Sequence, residues 1–402
     1  MTNIAILGLG VVGGGVADLI THNRTEVERL SGDEINIKYI LDLREFPNSP
    51  YGGLVVHDYD LILADSSVSC VIEVMGGSHP AYEYTVAALR AGKSVISSNK
   101  EVVAAYGDEF LAIAREMGVC YRFEAAVGGG IPVISPMISC IGQNKITEVR
   151  GILNGTTNYI LTKMFSLGES FESSLKDAQE RGYAERNPDA DILGTDACRK
   201  IDILSALVTE RLVSTDKIHT EGITKIRKED VLLAEKIGRK IKLLGRCIIT
   251  EDGAQIMVAP FLISESEPLS TVSGVYNAVE VIGDPIGNVM FYGQGAGAGA
   301  TASAVVGDLA QIVRSGSSVC TPKFTKTDDF LLDFASFECR SYVAAVGASV
   351  NEARRCYGDI DVISEGDELS FITGVMSEDR AEEAGRALVR SGAEMKSRIR
   401  LI

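Results

Sequence analysis

The first hundred residues alternate between short apolar runs and segments whose apolar positions recur at helical spacing. Residues 3–8 (NIAILG) are almost continuously apolar, the pattern of a strand buried on both faces, and residues from Gly13 onward (GGGVADLI) read as a helix. Residues 35–41 (INIKYIL) read as a second strand. Further apolar runs stand at 61–64, 70–75 and 94–97, helices are expected at 81–91 and 109–117, and 119–124 continues the series. Alternation of this kind predicts an α/β fold with a doubly wound parallel sheet. The pattern changes after Gly128-Gly129-Gly130-Ile131-Pro132. Strand-like segments at 146–153 and 247–263, with helices near 170–182, 193–209 and 228–241, predict an α+β domain. A glycine-dense turn at 293–299 then opens a helix over 301–313, and 319–328 reads as a linker. The tail runs strand (341–346), helix (349–357), strand (359–364), strand (368–374), helix (377–391), strand (396–402), which is the ferredoxin-like order.

Composition narrows the class. A chain of 402 residues suits two or three domains. With no Trp and 6% aromatic residues, its cores are aliphatic. A net charge of −16 argues against non-specific binding to nucleic acid or anionic membranes. No apolar run approaches the ~20 residues of a membrane span, and the apolar start lacks a basic leader region and reads as a strand rather than a signal peptide. The 8 cysteines are scattered without a CxxC pair, which points to buried free thiols in a reducing cytoplasm.

Gly8-Leu9-Gly10-Val11-Val12-Gly13 follows a strand and opens a helix, the setting in which a GxGxxG run binds a dinucleotide. Gly8 permits the tight turn, Gly10 lets backbone approach the pyrophosphate, and Gly13 lets helix and strand pack closely. This makes the first domain Rossmann-type. Asp42 ends the second strand, further past Gly13 than the usual ~20 residues, and the Ser31-Gly32-Asp33-Glu34 loop absorbs the excess. An acid there binds a ribose 2′-hydroxyl and repels a 2′-phosphate, whereas Arg44, two residues on, would receive that phosphate. The balance leans to NAD over NADP. Lys100 follows another strand end, where open sheets bind ligands; a solvated loop lysine is the alternative.

In the helix over 193–209, Leu193, Ala197, Ile201, Leu204 and Val208 form one stripe, and Lys200 points within it. Asp196, four residues earlier, is placed to pair with it. A surface pair with Lys200 reaching to solvent is the other arrangement this spacing allows. Glu185, Asp189 and Asp191 share the loop around Pro188, where carboxylates can gather round an ammonium group or remain solvated. Glu124 lies in an apolar segment beside the Gly128–Gly130 turn, and a carboxylate with backbone carbonyls suits a hard cation.

The ordered set of motifs is more specific than any one of them. It comprises the N-terminal glycines, Glu73-Val74-Met75-Gly76-Gly77, Ala91-Gly92-Lys93-Ser94-Val95, Asn99-Lys100, residues 124–132 (EAAVGGGIP), 151–159 (GILNGTTNY), Gly182-Tyr183-Ala184-Glu185, then Asp191, Gly194, Asp196 and Lys200, Gly295-Ala296-Gly297 and Thr301-Ala302-Ser303-Ala304. In these motifs the chain resembles the homoserine dehydrogenase family from residue 1 to about 313. The resemblance implies reversible NAD(P)-dependent interconversion of L-homoserine and L-aspartate 4-semialdehyde, in threonine, methionine and isoleucine biosynthesis, by a cytoplasmic homodimer or tetramer. It implies that Lys200 donates or accepts the proton, Asp196 orients it, and Lys100 lies at coenzyme and substrate. Glu185 and Asp191 would hold the substrate amino group, with Thr156 and Tyr183 of the same motifs beside the substrate. Gly8, Gly10, Val11, Val12, Gly13, Asp42, Arg44 and Gly297 would meet the coenzyme. A sodium ion would sit at Glu124 with the backbone of Val127, Gly129 and Ile131.

The implied domains are 1–133 completed by 298–328 for the coenzyme, 134–297 for substrate and dimerisation, and an ACT-like module at 335–402. Two departures stand out. Arg186-Asn187-Pro188 replaces the acid common before the proline, and Gly347-Ala348-Ser349-Val350 stands where an ACT domain carries an Asp-x-Pro-Gly turn.

Aldehyde reduction leaves negative charge on oxygen, which a nearby ammonium stabilises and protonates. His22, His57, His79 and His219 lie outside every motif, which leaves Lys200 for that task with Lys100 assisting. Three rivals predict something else. An aspartate-semialdehyde dehydrogenase needs a cysteine nucleophile in an active-site motif, a setting Cys140 and Cys198 lack. Other amino-acid dehydrogenases have no need of the 154–158 run. A nucleotide or amino-acid sensor using the tail would bind without turnover.

Overall fold

The computed structural model describes residues 1–315 and 322–402. Residues 319–321 of the expected linker, Cys320 among them, lie outside the described residues. The chain forms two compact units, one of residues 1–146, 202–217 and 281–328 and one of residues 147–201, 218–280 and 329–402.

The first unit is built on six parallel strands, β1 (Thr2–Leu7), β2 (Ile35–Leu41), β3 (Val55–Val56), β4 (Val68–Glu73), β5 (Ser94–Ser97) and β6 (Tyr121–Arg122), in the order β3-β2-β1-β4-β5-β6. Helices α1 (Val11–His22), α2 (Arg24–Ser31), α3 (Tyr59–Ala64), α4 (Ala81–Arg90) and α5 (Lys100–Met117) connect them. Ile4, Ile6, Ile40, Ile72 and Ile96 are fully buried, as strands covered on both faces require. Strand order reverses between β1 and β4, so their carboxyl ends flank the switch point where such sheets take ligands.

Several sequence expectations need correction here. The apolar run 61–64 belongs to a helix, because the Asp58 side chain accepts the Asp60 N–H and caps α3. The helix expected from 109 starts nine residues earlier, at Lys100, where the Asn99 side chain accepts the N–H groups of Glu101 and Val102. Lys100 is therefore a first-turn helical residue, not a loop lysine. The return helix, Ala298–Ser315, packs on α1 and α2 and places Val305, Val306 and Leu309 in the same core as Ile4 and Val16. Residues beyond 322 are not a free linker, since Thr325–Lys326 pairs with Arg211–Leu212 and the Lys326 ammonium donates to the Ala105 carbonyl.

In the second unit, strands follow one another in a mixed sheet in the order Lys145–Ile152, Arg239–Ile249, Ala254–Ser264, Glu394–Leu401, Ser341–Val346, Glu368–Thr373, Ile360–Ser364. The run 247–263 is not one strand. Glu251-Asp252-Gly253 turns the chain, and residues 239–249 pair antiparallel with 254–264. The helix expected over 228–241 stops at Lys236, because Gly238 takes a left-handed conformation (φ 64°) and the hairpin strand begins at Arg239. The tail keeps the expected strand and helix order, and its four main strands are antiparallel neighbours. The helix Gly155–Leu167 and the strands Tyr276–Asp284 and Gly287–Gln294 had no separate expectation. All seven described cysteines are free; Cys140 is exposed and Cys356 half-buried rather than in a core. Among the described residues no helix is long and apolar enough to cross a membrane.

A β-carbon on Gly13 would lie 1.9 Å from the Gly8 carbonyl oxygen, whereas one on Gly14 would meet nothing within 4 Å. Gly13→Ala is expected to lose ~1–3 kcal/mol or more of stability and to weaken coenzyme binding, while Gly14→Ala gains roughly 0.5–1 kcal/mol. Denaturant midpoints of the two variants check both signs.

Candidate active site

In the first unit the glycine turn joins β1 to α1. Gly8 has φ 102°, and a β-carbon there would stand 3.4 Å from the Val74 carbonyl oxygen and from the Met75 side chain. The loop after β4 is thus packed against the turn. Gly10 caps α1, Val11 at its first position is 75% exposed, and no side chain caps the first turn, so its N–H groups at Val11, Val12 and Gly13 have no capping partner among the described residues. Asp42 sits beside this turn and accepts the Leu9 N–H at 2.9 Å. It also binds Arg44 through both the backbone N–H and the guanidinium, each at 3.0 Å. The Arg44 guanidinium holds the Asp42 carboxyl well below the usual carboxylate range, with the Arg44 and Leu9 N–H groups acting the same way. His57 lies 2.6 Å from the Asp42 carbonyl and 2.9 Å from Glu45. Lys100 is half-buried at the start of α5. Gly297 (φ 118°) precedes the return helix, and the Ala298 carbonyl oxygen would stand 3.0 Å from a β-carbon on Gly15. An open helix N-terminus with an acid at the end of β2 fits a dinucleotide.

The second unit holds the lysine cluster. The Lys200 ammonium is buried, 2.8 Å from Asp196 and 2.8 Å from the Leu153 carbonyl to which it donates. The alternative surface pair is thereby excluded. Its helix begins at Thr195, after Gly194 (φ 88°), so the stripe is shorter than expected. Ala197, Ile201 and Leu204 are buried, but Leu193 lies outside the helix and is 48% exposed. The Asn154 amide donates to Asp191 at 2.7 Å and to Asp196 at 3.0 Å, while its carbonyl caps the helix Gly155–Leu167 by accepting the Thr157 N–H. Burial raises the Asp191 carboxyl, Asn154 opposes it, and the Asp196 charge adds to the rise. Thr156 donates to the Tyr183 carbonyl at 2.6 Å, and the exposed Tyr183 ring packs on Tyr159. Glu185 is exposed, and among the described residues no side chain pairs with its carboxylate. Asp189 is also exposed, at the start of the one-turn helix Asp189–Ile192 that carries Asp191.

Glu124 does a different task from the one the sequence suggested. Its carboxylate accepts the backbone N–H groups of Val133, Ile134 and Ser135 at 2.6–2.7 Å, so its side chain is taken up at the start of a helical segment. The carbonyls of Val127, Gly129 and Ile131 accept no hydrogen bond from outside the short helix Ala125–Gly128 among the described residues. The Glu124 carboxylate, by contrast, is already committed to these three amide groups.

Two family models match the chain. One, described as homoserine dehydrogenase, covers residues 132–310, and the other, described as homoserine dehydrogenase, NAD binding domain, covers residues 8–124. A homoserine dehydrogenase of Neisseria gonorrhoeae is 42% identical over 315 residues, 78% of this chain and 72% of that one. The chain belongs to the homoserine dehydrogenase family. A crystal structure of the enzyme from Thiobacillus denitrificans superposes with a TM-score of 0.92 at 34% identity, covering 100% of this chain and 98% of that one. A hyperthermophilic archaeal homoserine dehydrogenase in complex with NADPH gives a TM-score of 0.66 at 27% identity, covering 77% and 97%. As a homoserine dehydrogenase the chain is an NAD(P)-dependent oxidoreductase that interconverts L-homoserine and L-aspartate 4-semialdehyde.

Three residues that the sequence left without a role are central to the geometry. Asn154 joins both acids, and its place before an apolar helix was a legible N-cap signal. Glu73 is fully buried at the end of β4, in a motif that gave it no task. Lys242 lies inside the alternating strand 239–249, where its register on the inward face was the only clue. Its ammonium donates to the Asn158 side chain at 3.0 Å and the Val272 carbonyl at 2.5 Å, with no carboxylate partner among the described residues.

Burial pushes the Lys242 amine down to about 7, against an ordinary 10.5. A depressed lysine favours the fold where it is neutral, so its contribution grows as pH rises from 7 towards 10.5 and is least below 7. The protein is expected to gain on the order of a few kcal/mol of stability between pH 7 and 10 from this group. Lys242→Met should flatten that slope in denaturation series at the two pH values.

Proposed function

We propose that Lys200 is the acid–base residue of the dehydrogenase reaction. The observation that carries this is a buried ammonium tied to Asp196 and to the Leu153 carbonyl, next to a second carboxylate, Asp191. Bound NAD(P) supplies or accepts the hydride. In the reducing direction charge develops on the aldehyde oxygen, and Lys200 gives it a proton; in the oxidising direction Lys200 takes the homoserine hydroxyl proton. Asp196 orients the amine, and Asn154 fixes both acids in one direction. Asp191 and the unpaired Glu185 hold the substrate ammonium group. Thr156 and Tyr183 shape the loop that carries Glu185. Lys100, at the positive end of α5, meets coenzyme and substrate.

The coenzyme domain is then 1–133 with 298–328, the substrate and dimerisation domain 134–297, and the ACT-like module 335–402. The working form is a cytoplasmic dimer or tetramer, with a sodium ion on the carbonyls of Val127, Gly129 and Ile131. NAD is the preferred coenzyme, because Asp42 faces the ribose and keeps Arg44 from a 2′-phosphate.

Homoserine oxidation followed separately with NAD and NADP tests the reading. Lys200→Ala should lower kcat by ~10²–10⁴-fold with coenzyme affinity barely changed; near-normal turnover would refute the assignment. Asp42→Ala should free Arg44 and move the kcat/KM ratio of NADP to NAD upward by about tenfold, the equivalent of ~1.4 kcal/mol. A ratio that stays fixed removes Asp42 from coenzyme choice.

A further inference from the structure

Glu73 is the last residue of β4 and lies in register with Leu7 on β1 and Ser97 on β5. Its side chain thus sits in the row where three parallel strands end. It is fully buried, and among the described residues no cation pairs with it. One carboxylate oxygen accepts the Met75 N–H at 2.8 Å and the other accepts the Ser97 hydroxyl at 2.6 Å.

These two bonds reach further through their partners. The Ser97 hydroxyl oxygen accepts the Asn99 N–H at 3.0 Å. The Asn99 amide donates to the Gly77 carbonyl at 2.7 Å, and its oxygen caps α5 at Glu101 and Val102. Lys100 is the residue held between that cap and the helix. On the other side, Val74 donates to the Leu7 carbonyl at 3.1 Å, and Val74 and Met75 pack against Gly8. One carboxylate therefore ties the loop after β4 to both the glycine turn and the turn that carries Lys100.

We propose that Glu73 is a positioning residue for the dehydrogenase reaction, holding the coenzyme turn and Lys100 in fixed register through Met75, Ser97 and Asn99. The proposal rests on the reading that Lys100 and the glycine turn serve the reaction.

The energetics favour a positioning role over a stabilising one. Burial raises the Glu73 carboxyl to about 7, against the pull of the bonds from Ser97, Met75 and Asn99. Among the described residues Tyr121, on β6 two strands away, is an ionisable side chain that feels it; its hydroxyl is raised by its own burial and by the Glu73 charge. A carboxyl raised in the fold contributes stability below its ordinary value of 4.5 and loses that contribution as pH rises to 7. At neutral pH and above, the ionised group costs stability, yet only the ionised form accepts both bonds without competition from its own proton. A glutamine there keeps an acceptor for Met75 but turns an N–H towards Ser97, which reverses the bond between residues 73 and 97 and frees the Ser97 proton while removing the buried charge.

Steady-state kinetics and melting curves on full-length Glu73→Gln test this. The expected result is a kcat ten- to a hundredfold lower, the scale of a small misplacement near reacting atoms, with a melting temperature at pH 8 no lower than the parent's. The ionisation near neutral pH in the parent's kcat/KM profile should disappear. Ser97→Ala, which cuts the same chain without touching the charge, should reproduce the loss in kcat. A kcat within twofold of the parent with an unchanged pH profile overturns the proposal, as does a loss of kcat that merely tracks a lower melting temperature. Lys100→Ala measured alongside separates the two levels. If it keeps full turnover, the reading of Lys100 fails; if it is impaired while Glu73→Gln is not, the proposal for Glu73 fails alone.

Discussion

A lysine and an aspartate buried together set the terms for the second unit of this chain. Taking two such charges out of water costs roughly several kcal/mol per ion, and their attraction offsets this only if the remaining donors and acceptors are also filled. The second unit meets that condition locally. Lys200 has the Leu153 carbonyl besides Asp196, and Asp196 has the Asn154 amide besides Lys200. Asn154 is then committed on both sides, because its oxygen starts the helix Gly155–Leu167. The end of the strand Lys145–Ile152, the start of that helix and the direction of Asp191 all follow from satisfying one ion pair. The motif around Asn154 is thus a requirement of burying this charge.

The first unit solves a different problem, the crowding of backbone at the carboxyl edge of a parallel sheet. Gly13 lies against the Gly8 carbonyl and Gly129 against the Gly295 carbonyl, with 1.9 and 2.4 Å left for a β-carbon. Glycine is used there because backbone must touch backbone. The result is that the glycine turn meets the loop after β4 and the start of the return helix largely through backbone, with only Val74, Met75 and Ala302 adding side-chain contact. A polar carboxylate at Glu73 and a buried pair of Arg122 with Asp308 at 2.6 Å complete the edge. Burial raises the Asp308 carboxyl to about 6 against the opposing Arg122 charge, so even the paired acid is held at a cost.

The sequence was most legible where one local rule decided the outcome. The coenzyme turn, the β2 strand and the tail's element order follow from period and glycine spacing, whereas the stripe of Ala197, Ile201 and Leu204 left Lys200 either buried or reaching to solvent until the structure decided it. It was less legible where a tertiary contact overrode the local pattern. Residues 61–64 are apolar enough for a strand, but an Asp58 cap makes them helical. The strand beginning at Arg239 displaced the end of a helix because its hairpin partner gains eleven paired residues. Glu124 was read as a ligand from its apolar surroundings, although three amide donors converging on it cannot be inferred from spacing. Glu73 had no signal and Lys242 only its inward register, because a single inward polar residue in a strand looks the same whether it is satisfied or not.

Buried groups that, among the described residues, form no ion pair also make pH act on this fold from two directions. Glu73 is raised to about 7, and Asp202, whose second oxygen has no hydrogen-bond partner among the described residues, to about 8. Both acids oppose folding as pH rises into the neutral range. Lys242 is lowered to about 7 and opposes folding as pH falls from 10.5 to the same range. Near neutrality, then, the acids have lost most of their favourable contribution and the lysine has not yet regained its own. Selection for stability alone would replace each with an apolar residue of similar volume. Two of the three hold functional segments directly, Glu73 the loops at the sheet edge and Lys242 the Asn158 side chain of the helix that Asn154 caps. Their retention is most simply read as stability given up to keep those segments in place.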